Sequence, residues 1–278
     1  MRNTILAAAF LLLVSAVAMQ GSPGAESGRV PPGPAVIQPR AHSHNDYEHA
    51  RPLLDALARG FCSVEADIWL VDGALLVAHD RSSVDPGRTL DRLYLRPLWE
   101  RFQANGGHIY AEPAAFTLLI DIKNTGADTF RVLDRQLAAY APMLTTFTND
   151  ATTPGAVTVI ISGDRATDVI LASSPRRAGI DGRLPDLDGT LNRHQMPLVS
   201  DNWILHFGWK GPGAMPADEA AKLAAIVAKA HARGMRVRFW SIPQTEAVWS
   251  RLYDAGVDLL NADDLDGLVR VLLKKSGR

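Results

Sequence analysis

Two apolar periods alternate along the chain. Residues 52–59 carry helical apolar spacing, stop at Gly60 and give way to the strand-like Phe61-Cys62-Ser63-Val64. An Ala-rich amphipathic stretch over 218–233 stops at Gly234 before Met235-Arg236-Val237-Arg238-Phe239-Trp240, and 247–255 stops at Gly256 before Val257-Asp258-Leu259-Leu260. A glycine just past a helix accepts the left-handed cap conformation, so helix–Gly–strand is a physical unit. Further strand-like runs lie at 35–41, 116–122, 156–161, 179–183 and 197–202. Eight strands, most with room for a helix between them, predict an α/β fold with a parallel sheet closed into a TIM-type (β/α)8 barrel. The stretch 81–113 is longer than a crossover needs and predicts a small insertion or lid after the second βα unit.

The first residues stand apart. Behind Arg2, residues 5–17 are apolar except for Ser15, and Ala16-Val17-Ala18 supplies small residues at cleavage spacing. The run is short for a membrane span and reads as a secretory signal over 1–18, giving an exported (periplasmic or secreted) protein. Residues 21–34 are dense in Gly, Pro and Ser, so 19–34 reads as a flexible leader to a barrel domain over 35–278. With 47% hydrophobic residues there is material for one core of this length. A net charge of −1 leaves no basic footprint for nucleic acid. Cys62 is the sole cysteine, which excludes an intrachain disulfide; within an apolar strand it reads as a small buried hydrophobe.

The chemistry concentrates where strands end. Glu65 and Asp67 are two apart on a strand, so both side chains leave one face. Two such carboxylates repel unless a cation sits between them. Asp121 and Lys123 repeat that spacing at the end of the third strand. Strand ends converge on one mouth in a barrel, so Glu65, Asp67 and Asp121 form a candidate all-oxygen site for a hard divalent cation, Mg²⁺ or Ca²⁺. His42 and His44 end the first strand, and His79 follows the apolar run 75–78 beyond the Asp72-Gly73 turn. Imidazoles that titrate near neutrality suit general acid and base work.

Ala41-His42-Ser43-His44-Asn45, Val64-Glu65-Ala66-Asp67, Asp72-Gly73 and Val77-Ala78-His79-Asp80 resemble the signature of the glycerophosphodiester phosphodiesterase-like superfamily, which includes phosphatidylinositol-specific phospholipases C and sphingomyelinase D enzymes. Ile120-Asp121-Ile122-Lys123, Phe239-Trp240-Ser241 and Asn261-Ala262-Asp263 agree in order. The run 42–47 is similar to a branch that includes the fungal altered inheritance of mitochondria protein 6. The resemblance implies metal-dependent hydrolysis of a phosphodiester, of glycerophosphodiester or phospholipid-headgroup type. It implies His79 and either His42 or His44 as acid and base, with His42 favoured because it directly follows the strand. It further implies Glu65, Asp67 and Asp121 as metal ligands, Lys123 on the phosphate and Trp240 lining the pocket. The His-Arg-Gly and Glu-Asn-Thr elements of glycerophosphodiesterases are absent, and Asn45 or Arg51 would take over contacts to substrate. Sphingomyelinase D- or phospholipase C-like lipid cleavage is the near alternative, with transient contact to a membrane surface. No protein partner is evident.

Two other readings compete. A zinc amidohydrolase-type barrel would use His42-x-His44; it also wants histidines after later strands, where His194 and His206 fall near the sixth. A non-catalytic barrel for a headgroup or glycan would use Tyr47, Trp203 and Trp209 as exposed aromatics.

Overall fold

The computed structural model describes residues 35–277; the expected signal and leader lie outside the described residues. Eight parallel strands form β1 (Gln38–Ser43), β2 (Phe61–Val71), β3 (Phe116–Ile122), β4 (Val157–Gly163), β5 (Ala178–Gly182), β6 (Leu198–Asn202), β7 (Arg236–Trp240) and β8 (Leu259–Ala262). Each pairs with the next, and β1 pairs with both β8 and β2, which closes the barrel. The helices are α1 (Leu54–Leu57), α2 (Arg96–Ala104), α3 (Gly126–Ala138), α4 (Thr167–Ala172), α5 (Ala217–Ala232), α6 (Glu246–Asp254) and α7 (Leu265–Lys275). Between β5 and β6 a 3₁₀ turn, Leu184–Asp188, replaces a full helix. Gly60, Gly234 and Gly256 sit at φ +79°, +69° and +86°, the left-handed stops that the sequence pattern calls for. None of the helices among the described residues is long and apolar enough to cross a membrane.

Strand alternation sorts the residues into two shells. Val64, Ala66 and Ile68 are fully buried on the face of β2 opposite Glu65 and Asp67. The barrel core is a plug of Leu119, Ile160, Leu198 and Leu259. Two residues further along each of those strands stands a polar side chain: Asp121, Ser162, Ser200 and Asn261. With period-2 alternation these share the plug's face, one layer nearer the strand C-termini. The interior is therefore apolar in its middle and polar towards the mouth.

The stretch 81–113 is more than an insertion, because it contains the crossover helix α2 of the second unit, entered through a helical turn at Asp91–Leu95. An antiparallel strand, Ala74–Val77, precedes it and pairs with the outer end of β2 through a tight Asp72-Gly73 turn, both residues at positive φ. The aromatics proposed as exposed are in fact buried: Tyr47 and Trp203 are 1% accessible and Trp209 9%. Trp203 stacks on Phe207 and meets Phe239 edge-on, so apolar packing accounts for it.

Candidate active site

A pocket of about 270 Å³ opens at the C-terminal ends of the strands. Of the candidates, the structure brings His44, Asn45, Glu65, Asp67, His79, Asp121, Lys123 and Trp240 to its walls. Two do not arrive. Arg51 is exposed and held 2.7 Å from Asp55, one helical turn on, which draws it away from the mouth. His42 is fully buried, with Nδ1 2.7 Å from Ser63 Oγ and Nε2 3.6 Å from Glu65 Oε2. Burial, aided by the Arg238 charge, pushes its imidazole down to about 3, so it is neutral and supports Glu65 from below. The structure thus places His44, and not the favoured His42, at the pocket wall.

Local architecture fixes both pocket histidines. Asn45 takes a left-handed conformation that ends β1. Buried Asp46 then anchors the loop, accepting from Ser43 Oγ, the Leu53 amide and Tyr94 Oη. The 81–113 stretch contributes Tyr94 and also Arg88, which donates to the Tyr47 carbonyl. His44 Nδ1 lies 2.8 Å from Asp263 Oδ1. With Nδ1–H donating there, Nε2 is left as the free lone pair. His79 is delivered by the hairpin, whose end is tied by the Ala78 amide to the Asp67 carbonyl and by Trp69 Nε1 to the Ala78 carbonyl. Its Nδ1 lies 3.1 Å from Asp67 Oδ2 and 3.0 Å from Tyr47 Oη. Each histidine thus has an orienting carboxylate.

The three acids come from adjacent strands, with Asp67 directly beside Asp121 in register. One carboxylate oxygen from each of Glu65, Asp67 and Asp121 lies within 4.8 Å of the others. Gly163 makes room for this: at φ +71° it is strained for other residues, and a Cβ there would stand 2.4 Å from Asp121 Oδ1. Lys123 Nζ bridges Asp67 Oδ2 at 2.8 Å and Asp121 Oδ1 at 3.1 Å. Arg238 Nη2 donates to Glu65 Oε2 at 2.8 Å, both side chains buried. Burial favours a protonated Glu65, but the Arg238 charge outweighs it and helps hold the carboxyl well below its usual range. Asp67 moves upward instead, through burial and then the neighbouring Glu65 charge, against Lys123. Asp121 is likewise raised by burial.

These carboxylates fit a divalent cation. Tyr47 Oη, Lys123 Nζ and His79 Nδ1 all converge on Asp67 Oδ2, while Asp67 Oδ1 is buried with no hydrogen-bond partner. A buried, unpartnered carboxylate oxygen among three acids is costly, and a hard cation offsets that cost.

Several pocket residues were not found from the sequence. Arg183 reaches the pocket with its guanidinium 4.8 Å over the Trp240 ring. Asp181 holds it at 3.0 Å, and Asp181 in turn accepts from Ser162 and Ser200. Arg238 and Ser162 line the pocket too, and Tyr47, read as an exposed aromatic, instead lies buried beneath it against Asp67 and His79. Arg236 and Arg238 alternate with Val237 and Phe239, a signal that one face of β7 is polar. Asp263 lay within the quoted Asn261-Ala262-Asp263 motif without a role. His194 and His206 do not line the pocket. Cys62 is buried with its thiol pushed up to about 12 by burial, as suits a packing residue.

The family model described as an AIM6-like phosphodiesterase domain matches residues 34–180. The chain is 31% identical to altered inheritance of mitochondria protein 6 of Eremothecium gossypii, over 88% of this chain and 75% of that protein. It is 30% identical to the Saccharomyces cerevisiae (strain ATCC 204508 / S288c) protein of that name, over 81% and 68% of the two chains. The homolog from Arthroderma benhamiae is 29% identical, over 83% of each. Among solved structures, the fold is shared with glycerophosphodiester phosphodiesterases from Parabacteroides distasonis and Agrobacterium tumefaciens. The first has a TM-score of 0.53 at 13% identity, covering 85% of this chain and 98% of that one. The second has a TM-score of 0.51 at 15% identity, covering 84% and 99%.

Proposed function

The chain belongs to the AIM6-like phosphodiesterase family, and on that premise we propose that its barrel mouth hydrolyses a phosphodiester with His44 and His79 as acid and base beside a divalent cation. The observation that carries this reading is the pairing of two oriented pocket histidines with one cluster of three acids. Glu65, Asp67 and Asp121 would hold Mg²⁺ or Ca²⁺. When bound, the ion supplies Lewis acidity to a phosphoryl oxygen and to a nearby hydroxyl.

The protein's own groups do the rest. Nε2 of one histidine takes the proton of the attacking hydroxyl, and Nε2 of the other returns one to the departing alcohol. Asp263 and Asp67 fix the tautomers by engaging Nδ1 of each ring. Lys123 and Arg183 supply positive charge to the phosphoryl oxygens, where negative charge builds. Trp240 offers an apolar ledge for the alcohol side of the substrate. The pocket is small and lined mainly by polar groups, which supports recognition of a compact polyol headgroup.

The test is turnover of glycerophosphodiesters, phosphatidylinositol, lysophospholipids and bis-p-nitrophenyl phosphate by the wild-type chain and by His79→Ala. The expected result is hydrolysis of at least one of these by wild type, with loss in His79→Ala. Equal turnover by both proteins would overturn the role of His79.

A further inference from the structure

A second cavity, about 450 Å³, lies at the opposite end of the barrel. Its floor is built from lumen-facing residues below the plug: Thr117 and Thr158 precede Leu119 and Ile160 by two positions, and Arg236, two before the mouth residue Arg238, bonds Thr117. The plug therefore separates it from the catalytic mouth. Thr117 and Thr145 are buried, Thr145 and Thr158 hydrogen-bond at 2.8 Å, and Arg236 Nη1 donates to Thr117 Oγ1 at 3.1 Å. Arg193 and His194 form the rim, with His194 Nδ1 2.8 Å from Thr152 Oγ1.

The charge at this end is one-sided. No lining residue is acidic, and among the described residues neither Arg193 nor Arg236 pairs with a carboxylate. The contrast with the mouth is sharp, since Lys123, Arg183 and Arg238 there each have an acid within 3.1 Å. A guanidinium taken from water with no carboxylate in contact costs free energy that a bound anion would offset. Burial lowers the Arg236 pKa, against the longer-range pull of Asp258 and Asp181.

We propose that this cavity binds a tetrahedral oxyanion, either free inorganic phosphate or the terminal phosphate of a larger molecule, between Arg236, Arg193, His194 and the threonine hydroxyls. A planar guanidinium with adjacent hydroxyl donors matches the acceptor-only surface of such an ion. The site is separate from the hydrolytic one and takes no part in its chemistry.

Thermal unfolding of the purified full chain tests this, in chloride buffer with and without added phosphate, and with glycerol 3-phosphate as a second arm. At several times the Kd, the wild-type Tm should rise by about 2–4 °C. A rise with phosphate that persists in Arg183→Ala assigns the free ion, and a rise with glycerol 3-phosphate alone that persists there assigns a phosphomonoester end. Arg236→Met removes the charge while keeping an unbranched apolar stem, so it should abolish the rise without lowering the Tm measured in chloride. The surface change Arg193→Ala should reduce the rise severalfold. Arg183→Ala, at the mouth, should leave it intact. The proposal is overturned if wild type gains nothing from either anion. It is equally overturned if the rise survives in Arg236→Met but disappears in Arg183→Ala, which would put the anion at the mouth. An Arg236→Met protein that is less stable in chloride and still gains from phosphate would show a bracing role across the barrel floor instead.

Discussion

The two halves of the barrel bring opposite charges to one mouth. From β1–β3 and the hairpin come His44, Glu65, Asp67, His79 and Asp121, with Lys123 set among the acids. From β5–β7 come Arg183, Arg238 and Trp240. On the proposed reading, the first half would move protons and hold a cation, and the second would bind the phosphoryl group. Arg238 joins the halves, since its partner Glu65 lies across the barrel at 2.8 Å. Lys123, Arg183 and Arg238 pair with acids at the mouth but leave Asp67 Oδ1 unpartnered, so changes in each half should fail differently.

The largest effect should come from the first half. His79→Ala should lower kcat/KM by roughly 10²–10⁴ with little change in stability, measured by steady-state kinetics. His44→Ala should behave alike, whereas His42→Ala should act chiefly on stability because His42 is buried beneath Glu65. Turnover lost in His42→Ala and kept in His44→Ala would reverse the order drawn here. Next comes the link between halves. Arg238→Met strands Glu65 as a buried, unpaired charge and should cost about 3–5 kcal/mol in urea unfolding, partly recovered with a divalent ion. Unchanged stability would show that the halves are energetically independent.

Within the second half, Arg183→Ala should raise KM by about 10- to 100-fold, matching the roughly 1.5–3 kcal/mol of a hydrogen bond to a charged group, with kcat nearly kept. An equal fall in kcat would break the division of labour. The smallest effect is Tyr47→Phe, which removes the hydroxyl that donates to Asp67 Oδ2 at 2.6 Å. About 1 kcal/mol of stability should go, with a modest rate loss as His79 and Asp67 lose a shared anchor.

The halves also differed in how well the sequence disclosed them. All eight barrel strands could be read from apolar runs and glycine stops, because those signals are local. Glu65, Asp67, Asp121 and Lys123 could be read because i, i+2 spacing puts each pair on one face near a strand end, and His79 because it closes the apolar run 75–78. Arg238 and Arg183 could not. Alternation in Met235–Trp240 separates two faces, yet only closure of the sheet makes the polar face a lumen and not a surface. The same closure buries His42 and leaves His44 at the wall, although both are histidines two apart on one face. Arg51 was misplaced because the local pull of Asp55 is invisible without the helix that carries it.

On the proposed reading, the acids of the first half hold a divalent ion beside the two histidines. The most direct measurement is phosphodiester hydrolysis by the chelator-treated protein, titrated with Mg²⁺ or Ca²⁺, alongside Asp67→Asn. EDTA should abolish turnover, added ion should restore it in wild type, and Asp67→Asn should not be restored at the same concentration. Full turnover in EDTA, unaffected by Asp67→Asn, would contradict that reading and leave the carboxylates as ion-pair partners of Lys123 and Arg238.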